Sequence, residues 1–169
     1  MGKASAGRGR GAGARRAAPA VVIRSIGAGD RAGWEPLWKG YQRFYDRTLP
    51  VEVTARTWAR LVQGRELLGA LAFGRRGRPL GLVHYLFHPA TSTLGQACYL
   101  PDLFVAPAAR GRGVGRLLIT AVADAARARG AAVLYWQTEE FNGPARRLYE
   151  RVAKRSPFIR YQIDLATKR

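Results

Sequence analysis

Cysteine is nearly absent from this chain of 169 residues: Cys98 is the only one. A lone cysteine excludes a disulfide framework and a cysteine-built zinc knuckle. No structural metal is therefore expected, and a reducing cytoplasm is the expected compartment. Acidic residues are also scarce, with Asp and Glu together numbering 11 against 29 Lys and Arg. Long apolar runs are missing, since none approaches the roughly 20 residues that span a bilayer, so no membrane association is expected. Residues 1–20 contain neither an acid nor the apolar core of about 7–15 residues that a secretory signal needs. They are mostly Gly, Ala and Arg, and read as a disordered basic tail ahead of a domain over 21–169.

The net charge is +18, of which Lys3, Arg8, Arg10, Arg15 and Arg16 place +5 in the tail. Such a surplus concentrates any polyanion near the surface. No recognised nucleic-acid motif accompanies it, so a nucleic-acid partner is not expected. A solvated basic surface explains the charge equally well.

What is present suits one α/β domain: 47% hydrophobic and 10% aromatic residues in a one-domain length. Val21 to Ile26 reads as a first strand, and Asp30 can cap the helix after it. Trp34, Leu37, Trp38, Tyr41, Phe44 and Tyr45 recur at helical spacing. Pro36 fits that helix only within its first turn. A second helix follows Pro50, with Trp58, Leu61 and Val62 facing inward and Gly64 ending it. Strands are predicted over Leu67 to Phe73, Leu80 to Phe87 and Ala97 to Val105, the last interrupted by Pro101. From Gly113 the period is helical again, with Leu117, Leu118, Ala121, Val122 and Ala125 as the buried stripe and Gly130 as the stop. Ala132 to Thr138 is a strand, Asn142 opens a last helix, and Phe158 to Leu165 closes the chain as a strand. The order β-α-α-β-β-β-α-β-α-β predicts an α/β mixed sheet with helices on both faces.

One loop carries the chemistry. Arg110, Gly111, Arg112, Gly113, Val114, Gly115 and Arg116 stand between a predicted strand and a predicted helix. Glycines there let backbone N–H groups approach an anion. The free N–H groups of the first helical turn point the same way, helped by the positive helix end. The arginines add charge-assisted bonds. No Gly-Lys-Ser/Thr follows, so this is not a Walker loop, and its late position makes it an imperfect dinucleotide fingerprint.

With Leu103-Phe104-Val105-Ala106-Pro107 before it and Asn142 to Tyr149 after it, this loop resembles the GNAT superfamily of N-acetyltransferases. Tyr135 to Glu139, Leu148 to Ala153 and Phe158 to Tyr161 look closest to the yeast histone-and-other-protein acetyltransferase branch, and polyamine acetyltransferases are similar too. The resemblance covers roughly Val21 to Leu165. It implies a mostly antiparallel sheet in which two central strands splay to hold acetyl-CoA. Leu103, Phe104 and Val105 would bond the pantetheine arm, Arg110 to Arg116 would wrap the pyrophosphate, and Asn142 would bind the cofactor arm. A primary amine would attack the thioester directly, with no metal and no enzyme nucleophile. Tyr149 would donate a proton to the departing thiolate; read without the resemblance, it is a core tyrosine bonded to a backbone carbonyl.

The proton acceptor is less plainly written. The family pattern Tyr-Leu-Glu-Asp stands here as Tyr99-Leu100-Pro101-Asp102, with proline in place of the glutamate. Proline removes a ladder donor and marks a bulge or free edge. Asp102 faces away from residue 101 on a regular strand. His84, Glu139 and Glu140 are substitutes, His84 having the best ordinary titration range, although a lone histidine in an apolar strand is commonly a packed one. Cys98 lacks a basic partner and reads as core. By the same resemblance, the acceptor pocket would be built from the N-terminal helices and the loop before the glycine-rich strand, lined by one or two of Trp34, Trp38, Tyr41, Tyr45 and Trp58. So few acids favour a small or amino-acid-like amine over a polyamine or histone tail, with an arginine for its carboxylate. Pro101 also leaves open a cofactor-binding module without catalysis. Family relatives suggest a homodimer, paired through the last strand.

Overall fold

The computed structural model describes residues 21–165 of the chain, so the basic tail inferred over 1–20 lies outside the described residues. One five-stranded sheet runs in sequence order: β1 (Val22–Ser25), β2 (Leu68–Phe73), β3 (Pro79–His88), β4 (Ala97–Val105) and β5 (Val133–Trp136). Neighbours are antiparallel up to β4, and β5 lies parallel to β4. A parallel pair needs a crossover, which helix α3 (Val114–Ala128) supplies. Helices α1 (Arg31–Phe44) and α2 (Val51–Gln63) precede β2, and α4 (Gly143–Val152) follows β5.

Alternation along the strands divides the apolar residues between two cores. Leu71 and Leu82 face α1 and α2, where they meet Trp34, Leu37, Trp38, Trp58, Leu61 and Phe104. Ala70, Ala72, Val83 and Tyr85 face the other way, onto Val114, Leu118, Ile119 and Val122 of α3. Each fully buried large side chain contributes about 1.5–3 kcal/mol. Gly40 sets how closely α1 can lie on the sheet: a Cβ there would stand 2.7 Å from the Phe104 ring.

Several expectations need correcting. Pro36 sits in the second turn of α1, where it cannot bond the Ala32 carbonyl; both residues are exposed, so water can replace that bond. Val62 and Leu117 are 40% and 42% exposed, because each helix meets the sheet on a narrower arc than its apolar residues span. Ile119 and Ala126 are buried on α3 instead. Asp30 does not cap α1 with its side chain; its carboxylate accepts from Gly27 N–H at 2.8 Å and from Arg24 at 2.6 Å. Phe158 to Leu165 forms no strand, since it has no ladder partner, and its large apolar side chains are exposed. No helix among the described residues is long and apolar enough to cross a membrane.

Candidate active site

The site begins with an irregularity in β4. Against β3 its register holds from Val105 opposite Gly81 to Asp102 opposite His84, then resumes with Tyr99 opposite Leu86. Leu100 and Pro101 therefore share the single partner Tyr85, which is a β-bulge seated at the residue that lacks an N–H. The extra residue reverses the alternation. Cys98 and Leu100 pack in the α3 core, whereas Phe104 packs in the α1–α2 core. A regular strand would put residues 98, 100, 102 and 104 on one face. The bulge thus carries Asp102 over to the His84 side.

The same place ends the sheet on its other edge. The β4–β5 ladder runs from Ala97 opposite Val133 to Leu100 opposite Trp136 and stops. Residues 101–105 continue with β3 on one side and no strand on the other among the described residues. Leu103 and Val105 are half-buried against the α3 core and Phe104 is buried in the other, so what remains for a ligand is the strand's backbone edge.

That edge leads into the glycine loop. Gly111 and Gly113 have φ of 73° and 78°, the left-handed region that side chains disfavour. The first helical bond of α3 runs from Leu117 N–H to the Gly113 carbonyl. The N–H groups of Val114, Gly115 and Arg116 lie before it and stay outside the ladder. Gly115 serves packing instead, because a Cβ there would stand 3.1 Å from Leu148 of α4. Arg110 turns back, its Nε donating to the Val105 carbonyl at 3.1 Å and its guanidinium 5.8 Å from the Phe44 and Phe104 rings. Arg112 and Arg116 are exposed. An open strand edge, a turn of N–H groups outside the helical ladder and two exposed guanidiniums fit a ligand with an amide-bearing arm and phosphates.

Asn142 caps α4: its Oδ1 accepts from Ala145 N–H at 3.4 Å and its Nδ2 donates to Thr138 at 3.2 Å. Both polar ends are thus engaged within the protein, a role legible from its position before a helix. Tyr149, two turns further on, lies edge-on to Trp136 with centroids 5.4 Å apart. Burial, and then the Tyr45 hydroxyl, push its phenol up to about 12; no hydrogen bond contributes.

His84 is completely buried. Trp34 Nε1 donates to its Nε2 at 2.9 Å, and its Nδ1 lies 2.9 Å from Asp102 Oδ2. Asp102 keeps 17% of its side chain exposed, and Tyr41 stands beside it. Burial, followed by the charge of Asp102, raises Tyr41 well above the ordinary phenol range. Tyr41 meets Tyr45 edge-on at 5.1 Å. Glu139 and Glu140 precede α4, and both are exposed. The Cys98 thiol is fully buried, and burial pushes it up to about 11, which suits a core residue. The contacts of Trp34 and Tyr45 escaped sequence reasoning, since helical spacing marks both simply as stripe residues.

A model of the acetyltransferase (GNAT) family matches residues 34–153. A D-amino-acid N-acetyltransferase of Saccharomyces cerevisiae is 37% identical over 144 residues, spanning 84% of this chain and 89% of that one. An uncharacterized N-acetyltransferase of Bacillus subtilis is 30% identical, over 86% of this chain and 99% of its own. In fold, the chain is similar to an aminoglycoside N-acetyltransferase solved in complex with CoA, with a TM-score of 0.75 at 17% identity, covering 86% of this chain and 95% of that one.

Proposed function

The chain belongs to the GNAT acetyltransferase family, and on that premise we propose that it moves an acetyl group from acetyl-CoA to the primary amine of a small, amino-acid-like acceptor. The observation that carries this reading is the backbone edge of residues 101–105, left free where β5 stops and continuous with the N-terminus of α3. That edge would hold the pantetheine arm, and the N–H groups of Val114 to Arg116, with Arg112 and Arg116, would hold the pyrophosphate. Bound there, acetyl-CoA supplies an activated thioester carbonyl.

In the ternary complex the amine nitrogen forms a bond to the carbonyl carbon, and the carbon–sulfur bond breaks. Asp102 takes the ammonium proton, directly or through one water, because it is the carboxylate that the bulge brings to the His84 side and that keeps part of its surface exposed. Tyr149 gives its proton to the departing thiolate. A phenol raised to about 12 still holds that proton where the amine is free to attack. Among the arginines, Arg47 lies over the Tyr45 ring at 5.6 Å and supplies a cation for the acceptor's carboxylate. The D-amino-acid activity named for the yeast relative supports this substrate class.

Acetyl-CoA should raise the melting temperature, and amino acids of either hand should release CoA thiol faster than polyamines or aminoglycosides. No release with any amino acid, alongside brisk release with a polyamine, would refute the acceptor class.

A homodimer is also part of this reading. Ile159, Tyr161, Ile163 and Leu165 alternate along the terminal segment and are 74–89% exposed. Arg160, Gln162 and Asp164 alternate with them and bond one another at 2.7 Å. A second copy would cover those apolar side chains. Ile163→Asp should convert a dimer to monomer in sedimentation; a monomeric parent chain rules the dimer out.

A further inference from the structure

Beneath Asp102 two buried rings restrict each other. The indole N–H of Trp34 can only donate. Its 2.9 Å bond to His84 Nε2 therefore requires a lone pair on that nitrogen. The ring proton then sits on Nδ1 and is given to Asp102 Oδ2, 2.9 Å away. A second ring proton would set N–H against N–H, and Trp34 and His84 are both 0% exposed, so solvent cannot rescue the broken bond. Gly69 lies opposite His84 in the β2–β3 register, and a Cβ there would come within 3.3 Å of the imidazole. The Trp38 ring covers the imidazole at 5.2 Å.

We propose that Trp34 is a positioning residue for acetyl transfer: by holding His84 as the neutral Nδ1–H tautomer, it keeps Asp102 oriented and free of a neighbouring cation. This rests on the reading of Asp102 as the proton acceptor. An imidazolium at that distance would make the carboxylate a weaker base, whereas a neutral N–H orients it and leaves its charge available. His84 takes no proton itself. The other titratable groups facing Asp102 are Tyr41 of α1 and Tyr99 of β4, with Tyr45 and Arg47 acting on the first and Arg160 and Tyr135 on the second. Tyr41 and Tyr99 are both raised, chiefly by burial, so neither phenol adds a negative charge beside Asp102 near neutral pH.

The test is a nitrogen-15 spectrum of the histidine-labelled full chain, with activity profiles beside it. His84 should show the neutral Nδ1–H pattern across the pH range in which the enzyme is active. An imidazolium, or a proton on Nε2, within that range overturns the proposal. In Trp34→Phe, amine kcat/KM relative to the parent chain should fall at least about tenfold further at about pH 6 than at about pH 9, with KM for acetyl-CoA unchanged. Taking the ratio to the parent chain cancels the titration of the amine itself. Adding His84→Asn, which keeps a donor toward Asp102 but cannot titrate, should restore the parent profile. A loss uniform in pH would mean a structural role and overturn the proposal. Full activity in Asp102→Asn would sink the acceptor reading instead, and the nitrogen spectrum would still decide the tautomer.

Discussion

The two sides of the cleft are built in opposite ways. The proposed cofactor side is assembled from near neighbours in sequence: the edge of 101–105, the turn through Gly111 and Gly113, and the first turn of α3. It works through backbone N–H groups, whose directions follow from local conformation. The proposed acceptor side joins Trp34 of α1, His84 of β3 and Asp102 of β4, residues separated by 50 and 18 positions. It works through side chains whose aim depends on how whole elements pack. A contiguous loop tolerates change elsewhere in the molecule, whereas a constellation from three elements does not.

The difference can be tested by striking each side separately. The largest effect is expected from Asp102→Asn, which should lower kcat/KM by about 10²–10⁴-fold while acetyl-CoA still raises the melting temperature. Equal loss of the thermal shift would mean that the two sides are not separable. Tyr149→Phe should lower kcat by about 10–10²-fold with little change in KM for acetyl-CoA. Because its phenol sits near 12, the parent enzyme should show no alkaline loss from this residue up to about pH 11.

Substitution of both Arg112 and Arg116 by Ala should act on the other side alone. The expected result is a rise of about tenfold in KM for acetyl-CoA, near-constant kcat, and an effect that shrinks with salt. The smallest effect is expected at Asp30, which ties β1 to the start of α1 and so steadies the acceptor side. Bonds from Arg24, and then from Gly27, hold its carboxyl below the usual carboxylate range. Its contribution is therefore complete above the unfolded value of about 3.9 and is lost as pH falls through the depressed folded value. Arg24 is half exposed, so Asp30→Asn should cost only about 1 kcal/mol, or about 2–4 °C in melting temperature.

Legibility in the sequence followed the same division. The Arg-Gly-Arg-Gly-Val-Gly run, the helix after it and the cap at Asn142 could be read directly, because free N–H groups, left-handed glycines and capping side chains are local events. Most elements could be read for the same reason, since period and punctuation mark them. The terminal segment misled: its alternation satisfies a strand pattern, yet a strand exists only with a partner to receive its hydrogen bonds. Leu117 and Val62 misled in a milder way, because apolar spacing gives the direction of a buried face but not its width.

The sequence by itself marked the glycine-rich turn before α3 through a few adjacent residues and the fold class through the order of its elements, while Tyr149 became a candidate only through the family resemblance. Tertiary structure alone decided where Asp102 points. Pro101, which in the sequence removes a carboxylate and marks either a bulge or a free edge, seats a bulge that reverses the alternation of β4 and turns the remaining aspartate toward His84. The physical reason is that a side chain's facing along a strand depends on the register with its neighbour, and register belongs to the pair of strands.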